Sequence, residues 1–144
     1  MSKVAIHYGA SANQQSQGSN RAVEIKVRDI SVGTNDELIT YDSSVIGTLT
    51  RSSAKRYGKV VVFSFVFTNS SQISSNTALF TIDSSIAPSG QIDCVGANYS
   101  SADNVTNPTR LSISTSNSTT AVFSFDTLKI GNVRGEMVWL IKEQ

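Results

Sequence analysis

Residues 59–68, KVVVFSFVFT, are the most apolar run of the chain. Read with a two-residue period, Val61, Phe63, Phe65 and Phe67 share one face, and Val60, Val62, Ser64 and Val66 share the other. A strand with one wet face alternates apolar with polar positions. Residues 22–30 do so, setting Val23, Ile25 and Val27 against Glu24, Lys26 and Arg28. The 59–68 run does not alternate, which predicts a central strand covered on both faces. Residues 136–142 pose the same demand, with Met137, Trp139 and Ile141 on one face and Val138 and Leu140 on the other. Aromatic side chains suit the gap between two packed sheets. The Phe face is therefore assigned to the core, and the Val face is turned toward neighbouring copies of the chain around a symmetry axis.

The rest of the pattern predicts short strands. They fall at 77–82, 91–97, 109–115, 119–125 and 127–130, the last two separated by a bend at Asp126. Residues 45–50 read as a further strand, and residues 37–41 as a short strand or helical turn. Turns are expected at 31–36, 51–58, 69–76, 83–90 and 131–135, with a long polar loop over 98–108. Pro88 cannot donate to a central ladder, which agrees with a turn there. No segment combines helical periodicity with caps. The expected class is all-β, an antiparallel β-sandwich or jelly roll. Residues 1–21, which include the small, polar GASANQQSQGSN, read as an N-terminal arm or linker. Residues 22–44 read as a short β neck or shoulder, able also to belong to the head, and residues 45–144 as the sandwich head.

Composition narrows the function. The chain has 144 residues, enough for one domain with a substantial core. Its formal net charge is +1, and no basic stripe runs along it, so nucleic acid is not an expected partner. Arg51, Lys55, Arg56 and Lys59 enclose a single aromatic residue, Tyr57, and read as a charged strand edge that resists aggregation. Cys94 is the only cysteine, so no intrachain disulfide is expected, and its apolar context IDCVGA points to an inert core position. No run approaches membrane-spanning length, and the N-terminal apolar run is too short for a secretion signal. Synthesis in the cytosol without membrane insertion is expected. The Asn-x-Ser/Thr sites at Asn69, Asn98, Asn104 and Asn117 then carry no weight.

A search for catalytic chemistry yields little. A nucleophile–base pair built on histidine has only His7 to draw on. No His, Cys or carboxylate cluster has metal-ligand spacing, and the glycines stand singly at turns. Asp83, Asp93, Asp103 and Asp126 read as solvated turn carboxylates rather than a hydrolytic pair. The expectation is a non-enzymatic protein with no cofactor, metal or catalytic residue. The 98–108 loop offers more. It brings Asn98, Tyr99, Asp103 and Asn104 close to Arg110 in the sequence. An aromatic ring packs on the apolar face of a sugar, while amide, carboxylate and guanidinium groups take its hydroxyls. These five residues are the candidate ligand-binding set. The same residue types also make ordinary turns, and that alternative stays open. Trp139 shares its face with Met137 and Ile141, which favours a core or subunit contact over a sugar platform.

An ordered set of features carries a family resemblance. The strand at 45–50 leads to Lys55-Arg56-Tyr57-Gly58-Lys59, then to the β-rich run 60–68. TALFTI at 77–82 follows, then a turn with Pro88, Ser89 and Gly90. Next come residues 91–97, a polar loop, Arg110-Leu111-Ser112-Ile113, and a closing strand with Gly135 and Trp139. Over about two-thirds of its length the chain thus resembles the C-terminal head (tip) domains of bacteriophage tail-fibre and baseplate receptor-binding proteins. Ile86-Ala87 departs from the family, which often has an aromatic residue or Arg before the proline. The resemblance implies a β-sandwich head, a homotrimer and attachment to a bacterial surface glycan. It also implies joining to other tail or baseplate proteins through the N-terminal part, and a place on the virion after synthesis in the host cytoplasm. Competing readings are a purely structural particle component and a carbohydrate-active enzyme or its binding module.

Overall fold

In the computed structural model, which describes residues 2–7 and 22–142, eleven strands join into one sheet. The first four are β1 (Ser2–His7), β2 (Ala22–Asp29), β3 (Val32–Gly33) and β4 (Ile39–Thr40). A helical turn, α1 (Ser43–Ile46), leads to β5 (Thr48–Tyr57) and β6 (Val60–Asn69). The chain then runs through β7 (Ala78–Ile82), a 3-10 turn at Ser84–Ile86, β8 (Ile92–Ser100), β9 (Val105–Ser116), β10 (Thr119–Ser124) and β11 (Gly131–Leu140). The spatial order is β1-β2-β5-β6-β11-β8-β9-β10-β7-β4-β3. The β3–β4 pair is parallel, and the other named pairs are antiparallel.

This sheet curls until its halves face each other. Phe80 on β7 lies five places from β6 in the strand order. Its ring nevertheless sits 5.0, 4.8 and 6.3 Å from those of Phe63, Phe65 and Phe67. The Ile30 amide donates to the Ala54 carbonyl at 2.9 Å, which returns the β2–β3 connection to β5. The fold is all-β and sandwich-like. Its core takes Val61, Phe63, Phe65 and Phe67 from β6, Leu111 and Ile113 from β9, and Met137 and Trp139 from β11. Each Phe side chain buried there stabilises the fold by roughly 1.5–3 kcal/mol. The Phe face is thus internal, as its width requires. Trp139 is internal too, and its indole N–H donates to the Ile86 carbonyl at 2.7 Å. Val60, Val62 and Val66 face outward and are half-buried by their neighbours.

Several expected elements are differently placed. Residues 43–46 form α1, so the strand expected from residue 45 begins only at Thr48. The Asp42 carboxylate caps the turn by accepting from the Ser44 amide at 2.9 Å, and Gly47 ends it at φ 81°. A side chain at Gly47 would meet the Thr68 carbonyl oxygen at 2.2 Å. Residues 51–57 are strand, not turn. Paired with β6 from Thr48 to Tyr57, this stretch is held by its ladder while most of its side chains face water. The turn itself is confined to Gly58 and Lys59. Residues 131–135 belong to β11, where all pair with β6 and residues 131–134 also pair with β8. Residues 127–130 are not a strand; Leu128 makes an isolated bridge to Ile73. Residues 2–7 pair along their whole length with β2, and the rest of the expected arm, residues 1 and 8–21, lies outside the described residues.

Candidate functional site

The expected ligand loop is a tight hairpin. β8 runs to Ser100 and β9 begins at Val105, leaving four residues between them. Asn104 closes the turn at φ 53°, a conformation asparagine tolerates better than most residues. Asn98 points inward and is 6% exposed. Its amide donates to the carbonyls of Lys129 and Asn132, each at 3.1 Å, and accepts from the Lys129 amide at 2.8 Å. The Tyr99 hydroxyl donates to Asn104 Oδ1 at 2.7 Å. Asp103 accepts from Lys129 Nζ at 2.9 Å and from Ser100, and the Lys129 bond leads in holding its carboxyl below the usual carboxylate range. Arg110 lies farther along β9, where it binds Asp126 at 2.9 Å with its guanidinium over the Phe125 ring. The structure therefore gathers Tyr99, Asp103 and Asn104 at one turn, puts Asn98 in the interior and sets Arg110 apart.

A second feature lies on the outer face of β5, β6, β11 and β8. There the sheet opens: β11 pairs with β8 only from Gly131 to Arg134, although it pairs with β6 along its full length. Beyond Arg134 and Ala97 the two strands part, leaving a groove of about 760 Å³. That volume falls within the range of small-molecule sites, about 300–1,000 Å³. The register builds its floor in rows. Arg51, Val66, Arg134 and Ala97 form one row, and Ser53, Ser64 and Glu136 form the next. Val95 stands on the β8 wall at 68% exposure.

Gly96 and Gly135 keep this region thin. A side chain on Gly135 would press on the Phe65 ring at 2.6 Å, and one on Gly96 would meet the Arg134 carbonyl oxygen at 2.3 Å. The groove continues past Arg134 and Ala97 into a smaller hollow lined by Tyr99, Thr106 and Asn132. Tyr99 is thus the residue of the expected set that borders this surface.

Among the described residues, the charged side chains of the groove stand without partners. Lys55, Arg110 and Lys129 each hold a carboxylate at 2.9 Å. Among the described residues, the side chains of Arg51, Arg134 and Glu136 have no ion-pair or hydrogen-bond partner. The groove thus offers two unpaired cations, one unpaired anion, two hydroxyls and small apolar walls. Sequence reading missed it because the row joins residues from four strands whose register local periodicity does not encode. Local sequence offers no signal for it, because residues 51–57 are polar on both strand faces apart from Ala54 and Tyr57.

Toward one end of the strands this outer face becomes apolar. Tyr57, Val60 and Leu140 share a row, and Val62 and Val138 lie side by side in the next. Val138 is 52% exposed and Leu140 is 65% exposed. Cys94 is half-buried against the core, and burial, followed by the neighbouring Asp93 charge, pushes its thiol pKa up. That environment suits a packing role rather than a nucleophilic one. A scan against protein-family models and a search of curated proteins both find no match for this chain.

Proposed function

We propose that this chain is the head of a bacteriophage tail-fibre or baseplate protein that attaches, without catalysis, to a saccharide on a bacterial surface. The observation that carries the reading is the outer-face groove, with its unpaired Arg51, Arg134 and Glu136 side chains beside Ser53 and Ser64. Saccharides are held by hydrogen-bonding groups set among small apolar surfaces, and this groove supplies both. Tyr99, at its far end, adds a ring for the apolar face of a sugar. The working form is a homotrimer on the virion. Its copies cover the apolar part of the same outer face, and the N-terminal part joins other tail proteins.

The test is binding of the fluorescently labelled full chain to whole bacteria from a broad panel, followed by polysaccharide extracted from any strain that is bound. Saturable binding to extracted polysaccharide, with no new reducing ends after prolonged incubation, supports attachment without hydrolysis. Absence of binding across the panel favours a purely structural particle component. New reducing ends favour an enzyme.

A further inference from the structure

The Arg51–Arg134 pair narrows the ligand class, given the saccharide-binding reading above. Both arginines stand opposite Val66, one on each neighbouring strand. Adjacent strands are about 4.8 Å apart, so the two backbones are separated by about 10 Å. An arginine side chain spans most of that gap, so both guanidinium groups can converge on one anion above Val66. Two like charges flanking one residue repel each other, and the nearby Glu136 carboxylate, in the next row, pairs with neither arginine, unlike the carboxylates that neutralise Lys55, Arg110 and Lys129. Guanidinium groups suit planar carboxylate and phosphate oxygens because two parallel N–H bonds match their geometry.

We propose that the groove binds an acidic saccharide, with its carboxylate or phosphate held between Arg51 and Arg134. The next row lies along the strand on the same face, where Ser53, Ser64 and Glu136 take ring hydroxyls. A carboxylate accepts two such hydroxyls well, and it repels an anion placed at its own end. Glu136 therefore sets the ligand's direction, with the acidic group toward the arginines and the hydroxyls away from them. Val66, Val95 and Ala97 contact the apolar edge of the ring.

The experiment titrates the isotope-labelled full chain with glucuronic acid, glucose 6-phosphate, glucose and inorganic phosphate, following backbone amide shifts. Saturable shifts at Ser53, Ser64, Val95 and Ala97 with glucuronic acid or glucose 6-phosphate, at least tenfold tighter than with glucose, support the proposal. The two acidic sugars separate carboxylate from phosphate as the preferred group. Shifts with inorganic phosphate equal to those with the sugars identify bare anion binding and overturn the saccharide assignment. Arg51→Gln with Arg134→Gln should weaken acidic-sugar binding at least tenfold, and Glu136→Gln should reduce the preference for a single ligand orientation. Both arginines are exposed, and an unchanged thermal midpoint verifies folding of the double variant. Unchanged acidic-sugar affinity in that variant, or equal affinity for glucose, overturns the proposal. Whole-cell binding separates the two levels. If it survives in the double variant, only the groove assignment fails; if the parent chain binds no cell or polysaccharide, the attachment reading fails.

Discussion

Asn98 pairs with the backbone of Lys129 as if it were a strand. Its side-chain oxygen accepts from the Lys129 amide at 2.8 Å, and its side-chain nitrogen donates to the Lys129 carbonyl at 3.1 Å. The same nitrogen also donates to the Asn132 carbonyl at 3.1 Å. These bonds anchor the non-strand segment before β11 to the inner face of β8. Asn98→Ala strips a buried donor and acceptor from that segment, and unsatisfied buried groups each cost about 1–3 kcal/mol. The expected loss is about 2–4 kcal/mol, read as a lower urea midpoint with the fluorescence of the sole tryptophan, Trp139, as probe. The folded fraction should bind saccharide like the parent. A selective loss of binding with unchanged stability would return Asn98 to the ligand site.

The same residue shows how far the sequence could be read. The β6 pattern was legible because its large apolar side chains are spent on packing: Phe63, Phe65 and Phe67 all meet Phe80. The β8–β9 hairpin was not, because several of its inward positions are polar. Asn98, Ser100 and Thr109 are buried and hydrogen-bonded, as when Thr109 Oγ1 meets Ser124 Oγ at 2.8 Å. Periodicity counts such residues as loop, so strand was mistaken for an eleven-residue connection. β5 failed for the opposite reason, since Ser52 and Arg56 alternate with polar outward residues and leave no apolar stripe. Tyr99 was singled out for its ring and does border the groove, whereas Arg51 and Arg134 become a pair only once the β5–β6–β11 register is known.

Gly135 is small for the sake of Phe65. An added methyl group would lie 2.6 Å from Phe65 Cζ and 2.7 Å from Leu111 Cδ1. Gly135 does not adopt a left-handed backbone, so packing dominates the effect of Gly135→Ala. Overpacking of this kind costs about 1–3 kcal/mol. Phe65→Leu introduced with it makes room and should recover part of the loss, giving a coupling of about 0.5–3 kcal/mol in a double-mutant cycle. Strict additivity of the two changes in urea melts would show that Phe65 and Gly135 do not constrain each other.

Acid should weaken the fold in part through its paired aspartates. The carboxyl pKa values of Asp29, Asp103 and Asp126 are lowered, chiefly by hydrogen bonds from Lys55, Lys129 and Arg110 respectively. A group with a depressed folded pKa favours folding above its unfolded value, about 3.9 for aspartate. That contribution disappears as pH falls through the folded value, because the unfolded chain takes up the proton first. Urea midpoints should therefore vary little from these groups between pH 7 and 5, then drop below about pH 4. The triple variant Asp29→Asn, Asp103→Asn, Asp126→Asn should show a shallower drop across that window. An acid limb as steep as the parent's would locate the sensitivity in other groups.

The outward apolar row bears on assembly. Leu140 is 65% exposed, and it shares its row with Val60 and Tyr57 while Val138 lies two residues away on the same strand face. Of the three strands that supply this patch, β6 and the Met137–Leu140 end of β11 are apolar on both faces, yet their inner faces alone meet the core. If copies of the chain cover the patch, a charge placed at its centre must be desolvated in the assembly but not in the free chain. Leu140→Lys should then convert a trimer to a monomer at micromolar concentration in sedimentation velocity. The monomer should retain its fold, because Leu140 is not part of the core and the substitution leaves the β6–β11 ladder intact. A parent chain that sediments as a monomer, or a variant that remains trimeric, removes this face from the assembly. In the former case the groove beside Arg134 must bind its saccharide without help from a neighbouring copy.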